Sequence, residues 1–183
     1  MKNARIAFGV ALLGAMLAVT TSCASDPDDG SAPRLPVADL DPNAYAAFVQ
    51  PVMERHCGSL DCHGKLPRGL RVYGQNSLRL SNDGGLSVGI GKTTPDEARA
   101  TYVSIIGLQP ELTNDFASKS PRTTQDAYGL LLLAKPLAIE RHRPGPSLRK
   151  GEPAERCITS WLIGGAAGID KGACAAGAPP LAP

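Results

Sequence analysis

The apolar positions of this chain form one unbroken run near the N-terminus and then short stretches of helical period, separated by Gly, Pro and polar residues. The unbroken run is Ile6 to Val19. From Asp41 the pattern turns helical: Asp41-Pro42 offers an N-cap and a first-turn proline, and Tyr45, Phe48, Val49 and Val52 follow at the spacing of one helix face. This predicts a helix leading into Cys57, kinked or restarted at Pro51 ahead of Val52 and Met53. Leu70, Val72 and then Leu78, Leu80 alternate on either side of Gly74-Gln75-Asn76, which predicts a β-hairpin. Thr94-Pro95-Asp96-Glu97 is a capping box with proline at the first helical position, and Tyr102, Ile105 and Ile106 give the following helix an apolar face. The polar stretch from Gln109 to Thr124 reads as a loop, and a short helix is expected from about Gln125 to Ala134, stopping before Pro136. Glu155 to Ile163 is expected to form the last helix, with Trp161 inside it, and Ala175 onward is a Pro- and Ala-containing tail without predicted structure. The fold class is therefore mainly α, with a small β-hairpin and long loops. No internal repeat is present.

Composition changes that picture in two ways. Of the 183 residues, a leader removed at the N-terminus leaves about 160, the length of one domain. Aromatic residues make up only 4% against 20 Gly and 16 Pro, so few large side chains are on hand to fill a core and something else is expected to help fill it. The formal charge of +2, from 19 basic and 17 acidic residues spread along the chain, creates no field that would seek nucleic acid, and no nucleic-acid partner is expected.

The N-terminal run has a destination. Lys2 and Arg5 precede it and Thr20, Thr21 and Ser22 follow, the make-up of an export signal over residues 1–22. The run is too short to favour a permanent span. A small residue before Cys23 resembles a lipobox, in which the cysteine becomes the lipidated first residue, with Thr20 standing where such motifs prefer Leu. Ordinary cleavage after Ala24 is the alternative and would give a soluble periplasmic product. On either reading the chain is exported to the periplasm or cell envelope, and a lipid on Cys23 would hold it on a membrane. Residues 23–40, rich in Asp, Ser, Pro and Gly, read as a flexible tether.

The chemistry is concentrated in Cys57-Gly58-Ser59-Leu60-Asp61-Cys62-His63-Gly64, which holds the only Cys-His dipeptide of the chain. Covalent haem attachment needs two thiols to add to the porphyrin vinyl groups and an adjacent imidazole to meet the iron. Four residues separate the cysteines here where two are usual, so the loop must bulge. At this motif the sequence resembles the c-type cytochromes, some of whose haems have the same widened spacing, and more closely the cytochrome-like domains of secreted bacterial lipoproteins. The resemblance spans most of Tyr45 to Gly165. Phe48-x-x-Pro51-Val52 looks like the helix that opens such domains; Lys135-Pro136, His142 with Pro144-Gly145, and Trp161 to Gly165 look like their closing half, where a terminal helix packs against the first. It implies a cytochrome c-like helical domain over residues 41–174, ahead of a disordered tail at 175–183. It also implies one covalent haem c on Cys57 and Cys62 with His63 as proximal ligand, and electron transfer to a redox partner protein.

The remaining cysteines and histidines fit around that core. With Cys23 lipidated and two thiols on haem, Cys157 and Cys174 are left to form a disulfide, as exported cysteines tend to do. A pairing of Cys57 with Cys62 and no haem also uses every cysteine, and would make the chain a disulfide-stapled exported binding or structural lipoprotein. A zinc site of Cys57, Cys62 and His63 is disfavoured because neighbouring residues 62 and 63 can hardly both point at one small ion. For a sixth iron ligand the candidates are Met53, His56 and His142; the first two sit on the proximal segment, which leaves His142 as distal ligand or, failing that, an open iron suited to peroxidase or sensor chemistry. No catalytic elbow, phosphate loop or His-Glu-x-x-His helix is present, so an enzyme is not expected.

Overall fold

Asp41 opens the first helix by adopting a left-handed conformation (φ 55°) in which its Oδ1 accepts the N–H groups of Asn43 and Ala44 at 3.1 and 2.9 Å. A computed structural model describes this and the rest of residues 40–80, 86–88, 91–143 and 145–178. The leader, Cys23, the tether up to residue 39 and the tail beyond Ala178 lie outside them. Helix α1 (Pro42–Ala44) passes through a π-helical stretch, Tyr45–Val49, into α2 (Gln50–Cys57). Pro51 has no N–H to give and its ring would press on the preceding turn of a regular helix; the widened turn just ahead of it absorbs the misfit, with Gln50 N–H reaching back to Tyr45 O. The run is adjusted at Pro51 and not broken.

Beyond the ribbon β1 (Leu78–Leu80) and β2 (Leu86–Val88) the described chain is mainly helical: α3 (Pro95–Ile106), α4 (Pro110–Ser118), α5 (Thr124–Tyr128), α6 (Leu131–Ala134), α7 (Pro153–Gly168) and α8 (Lys171–Gly177). The capping box at Thr94 and Glu97 is formed as its residues imply, and Thr123 with Asp126 makes a second one at α5. The strands pair antiparallel, Leu78 opposite Val88. Leu70 and Val72 are not the second arm of this ribbon. Residues 71–73 run along α3 instead, with Arg71 N–H on Ser104 Oγ and Tyr73 N–H on Thr101 Oγ1, both at 2.8 Å. Gly74, at φ +139°, lies so close to Glu54 and Thr93 that no side chain fits there.

Three further sequence expectations need correction. Residues 110–118, read as loop, form α4, which buries Thr113 and Phe116 and whose one apolar pair at helical spacing, Leu112 and Phe116, is set among polar residues. The expected helix from Gln125 is two short ones, because Leu130 is extended between them. The tail assigned from Ala175 begins inside α8, which continues to Gly177, while at the other end Leu40 is buried in the core.

The core closes around three aromatic rings. Tyr45 and Trp161 are fully buried with centroids 5.2 Å apart, and Tyr102 stands 5.6 Å from Tyr45 and 6.4 Å from Trp161, so the N-terminal run, α3 and α7 meet at one point. Such tilted pairs add to the area they bury. The polar ends are satisfied: Trp161 Nε1–H donates to Asp41 O (3.2 Å) and Tyr45 O–H to Gln50 Oε1 (2.7 Å). Burial pushes the Tyr45 phenol well above its ordinary pKa, with the neighbouring Cys57 and Glu54 adding to the effect. Cys157 and Cys174 form a disulfide that joins α7 to α8. Among the described residues no helix is long and apolar enough to cross a membrane.

Two outcomes follow for stability. Replacing Cys157 and Cys174 together by Ser opens a bridge of sequence separation 17 and should lower the unfolding free energy by about 3 kcal/mol on the chain-entropy estimate, read from urea denaturation. Glu97, buried, accepts from Arg79 Nε (2.6 Å), Thr94 N–H (2.9 Å) and Leu80 N–H (3.2 Å). Burial alone would raise its carboxyl, but these donors outweigh burial and hold it below the usual range. The stability this provides is present above about pH 4.3 and fades as the pH falls towards the lower folded value. Glu97→Gln should cost about 2 kcal/mol at pH 7 and remove that part of the acid dependence.

Candidate functional site

The end of α2 delivers Cys57, and the chain then folds back on itself within six residues. Cys62 N–H and Gly64 N–H both donate to Ser59 O (2.9 and 3.0 Å), and His63 N–H returns to Cys57 O at 3.0 Å. The four residues between the cysteines are thus taken up in a closed turn, the bulge that the wide spacing demands. Ser77, fully buried, clamps the turn from behind: its hydroxyl donates to Gly58 O in a very short bond and reaches Val72 O at 2.9 Å. Gly64 is obligatory, since a Cβ there would collide with the carbonyls of Gly58 and Ser59 and with Ser77 Oγ. Neither role was visible in the sequence, although Gly64 directly follows the Cys-His pair.

Cys57 and Cys62 are both free thiols, and both line a cleft of about 430 Å³ together with His56, His63 and His142, the three histidines of the chain. Leu70, Leu108, Leu131 and Leu132 give it apolar walls. Leu131 is fixed there by its N–H bond to Gln109 Oε1 (2.6 Å). His142 arrives from the far side on a loop whose base is closed by Ser147 and Leu148 N–H on Pro136 O (3.0 and 3.1 Å). The imidazoles of His63 and His142 stand parallel, 4° between planes and 6.2 Å between centroids. Met53 is buried in the core and does not line the cleft, and His56 has its Nε2 committed to Gly177 O (2.8 Å).

Hydrogen bonding settles which nitrogens are available. His63 Nδ1 lies 3.0 Å from Leu70 O and His142 Nδ1 lies 2.7 Å from Gly145 O. A carbonyl can only accept, so each Nδ1 carries a proton, and whenever such a ring is neutral its lone pair lies on Nε2. Metal-ligating histidines are oriented by this kind of backbone bond. Burial pushes the His63 pKa down; the Arg68 charge, and that of His142 when it is protonated, add to this against the pull of the Leu70 carbonyl. With metal–nitrogen bonds of about 2 Å and roughly 1 Å from ring nitrogen to centroid, two imidazoles sharing one ion end to end have centroids about 6 Å apart. The observed centroid spacing is of that size, and His63 and His142, with the two thiols beside an apolar cleft, are the residues that would hold a porphyrin and its iron. Among the described residues no three His, Cys, Asp or Glu side chains are grouped so as to hold a metal ion. No protein family, curated protein or solved structure matches the chain.

The two thiols differ in environment. Burial, with Cys62 nearby, pushes the Cys57 thiol up to about 12, whereas Cys62 is partly exposed. In reduced protein carrying no adduct, iodoacetamide at pH 7 should label Cys62 readily and Cys57 slower than a free cysteine by on the order of a thousandfold, as read by peptide mass mapping.

Proposed function

We propose that this chain is a monohaem c-type electron-transfer protein of the cell envelope, with one haem joined by thioether bonds to Cys57 and Cys62 and ligated by His63 and His142 in a cytochrome c-like domain. The observation that carries this reading is the pair of parallel imidazoles 6.2 Å apart, each with Nδ1 committed to a carbonyl, across a cleft that both free thiols line. A bound haem supplies one-electron chemistry. The chain's residues would do the rest: the thiols would fix the group in place, His63 and His142 would hold its iron, and the leucine walls would exclude water. With both histidines so engaged, and no carboxylate among the described residues lining the cleft to pair with a histidine in acid–base work, transfer of electrons is favoured over catalysis. Two imidazoles without a thioether ligand put the potential below that of a Met-ligated cytochrome. The export signal at 1–22 and the lipobox-like Cys23 support a lipid-anchored protein facing a redox partner protein.

The purified exported protein should show a reduced α-band that survives acid-acetone extraction. Cys57→Ser with Cys62→Ser should abolish it and leave little folded protein, since a ligand bound only by the folded state no longer stabilises it. A parent without the band, whose double variant folds normally, would instead favour an exported binding or structural lipoprotein. His142→Ala should turn a low-spin spectrum high-spin and admit carbon monoxide; an already high-spin parent would favour sensing or peroxide chemistry.

A further inference from the structure

The cleft is charged on one sign only. Arg68, Lys135, Arg141 and Arg143 line it, and no Asp or Glu does among the described residues. Lys135 is already engaged, its Nζ lying 3.1 Å from Glu140 Oε2 and donating to Arg141 O at 3.2 Å. Arg68 spends only Nε, on Cys62 O (3.2 Å). Arg141 and Arg143, both exposed, have no ion pair among the described residues, and they flank His142 on either side.

The loop that carries His142 is held at its base and not at its tip. Pro136 O closes the base through Ser147 and Leu148, and Lys135 secures Glu140 and Arg141 from the same side. Among the described residues from His142 to Pro146 the one hydrogen bond is local, His142 Nδ1–H to Gly145 O. Nothing among the described residues ties the tip to the opposite lip, where His63 waits. Two guanidinium groups at a cleft that contains no acid would repel Arg68 across it unless an anion enters.

We propose that Arg141 and Arg143 are positioning residues that clamp the carboxylates of the bound porphyrin and thereby hold His142 against the iron. This rests on the haem reading above. Guanidinium forks suit carboxylates, and removing either of these charge-assisted bonds should raise the population of the open loop about tenfold. The clamp would make sixth ligation conditional on the charge of the ligand, not on the histidine alone.

The test uses the exported full-length protein with Arg141→Gln and Arg143→Gln together. The clamp predicts a covalent haem band as in the parent, a new high-spin component, and carbon monoxide binding at least about tenfold stronger. Replacing both by Lys should restore much of the low-spin signal, and raising the salt concentration should move the parent in the same direction as the Gln variant. A Gln variant that stays fully low-spin with unchanged carbon monoxide affinity overturns the clamp while leaving the haem reading intact. A parent with no covalent haem overturns the reading itself and the clamp with it. A parent in which His142→Ala changes nothing overturns the clamp alone.

Discussion

Tyr45, buried between Trp161 and Tyr102, is the contact on which the geometry of the rest depends. It sits in the π-helical stretch that resolves the misfit of Pro51, and it seats the whole N-terminal run against α3 and α7 at once. Because α2 follows without a break, the position of Cys57 at its far end is set by this packing and not by the loop it introduces. In a chain with only 4% aromatic residues, concentrating three of them at one point is how a modest inventory fixes three elements. The polar groups of that centre extend the fixing outward: Tyr45 to Gln50, Gln50 Nε2 to Tyr73 O and to Glu54 (both 2.7 Å), and Glu54 to Thr93 (2.6 Å). This line of bonds also holds the extended segment 71–74 whose neighbour, Leu70, supplies the carbonyl that orients His63. Core and site are thus joined by a short series of buried contacts.

What could be read from the sequence was whatever depends on near neighbours. The Thr94 capping box, the Asp41 start and the Cys157–Cys174 pairing rest on residues whose chemistry acts locally or by elimination, whereas the kink or restart expected at Pro51 is replaced by a π-helical stretch ahead of it. Elements whose partner lies elsewhere were not legible. Helix α4 has its start signals, Pro110 and Glu111, and Leu112 and Phe116 one turn apart, but that single apolar pair lies in an otherwise polar stretch and Leu112 faces solvent. Leu70 and Val72 alternate as a strand does and are buried, yet the residues between and after them, Arg71 and Tyr73, bond to α3, and the segment meets Leu78 only through an isolated bridge at Tyr73. The candidate site divides in the same way. The Cys-His motif is contiguous and could be found by inspection. The parallel setting of His63 and His142 depends on where a loop returns to Pro136, and the roles of Ser77 and Gly64 depend on the path of a turn, neither of which leaves a spacing to count.

The two sides of the domain are held by different means. Around Trp161 the chain is stapled by the disulfide and by Glu155, which is buried and accepts from Tyr128 O–H (3.1 Å), Thr159 O–H (2.6 Å) and Gly151 N–H (2.9 Å). Gly177, which leaves no room for a side chain against Ala154, brings α8 close enough for its carbonyl to take His56 Nε2–H, so this stapled side reaches the cleft at one residue of α2. Around the cleft itself the walls are short: a closed turn, the four residues of α6, three of them buried, and a loop whose bonds to the rest of the chain, among the described residues, lie at its base. Elements with few buried contacts open at lower free-energy cost than the rest of a fold. A ligand that spans such a cleft supplies the missing contacts from both lips, and its binding energy becomes folding energy for the turn and the loop together. On the proposed haem reading, the scarcity of large side chains and the apolar cleft beside the two thiols and two imidazoles would have one explanation: the group they would hold completes the core on this side.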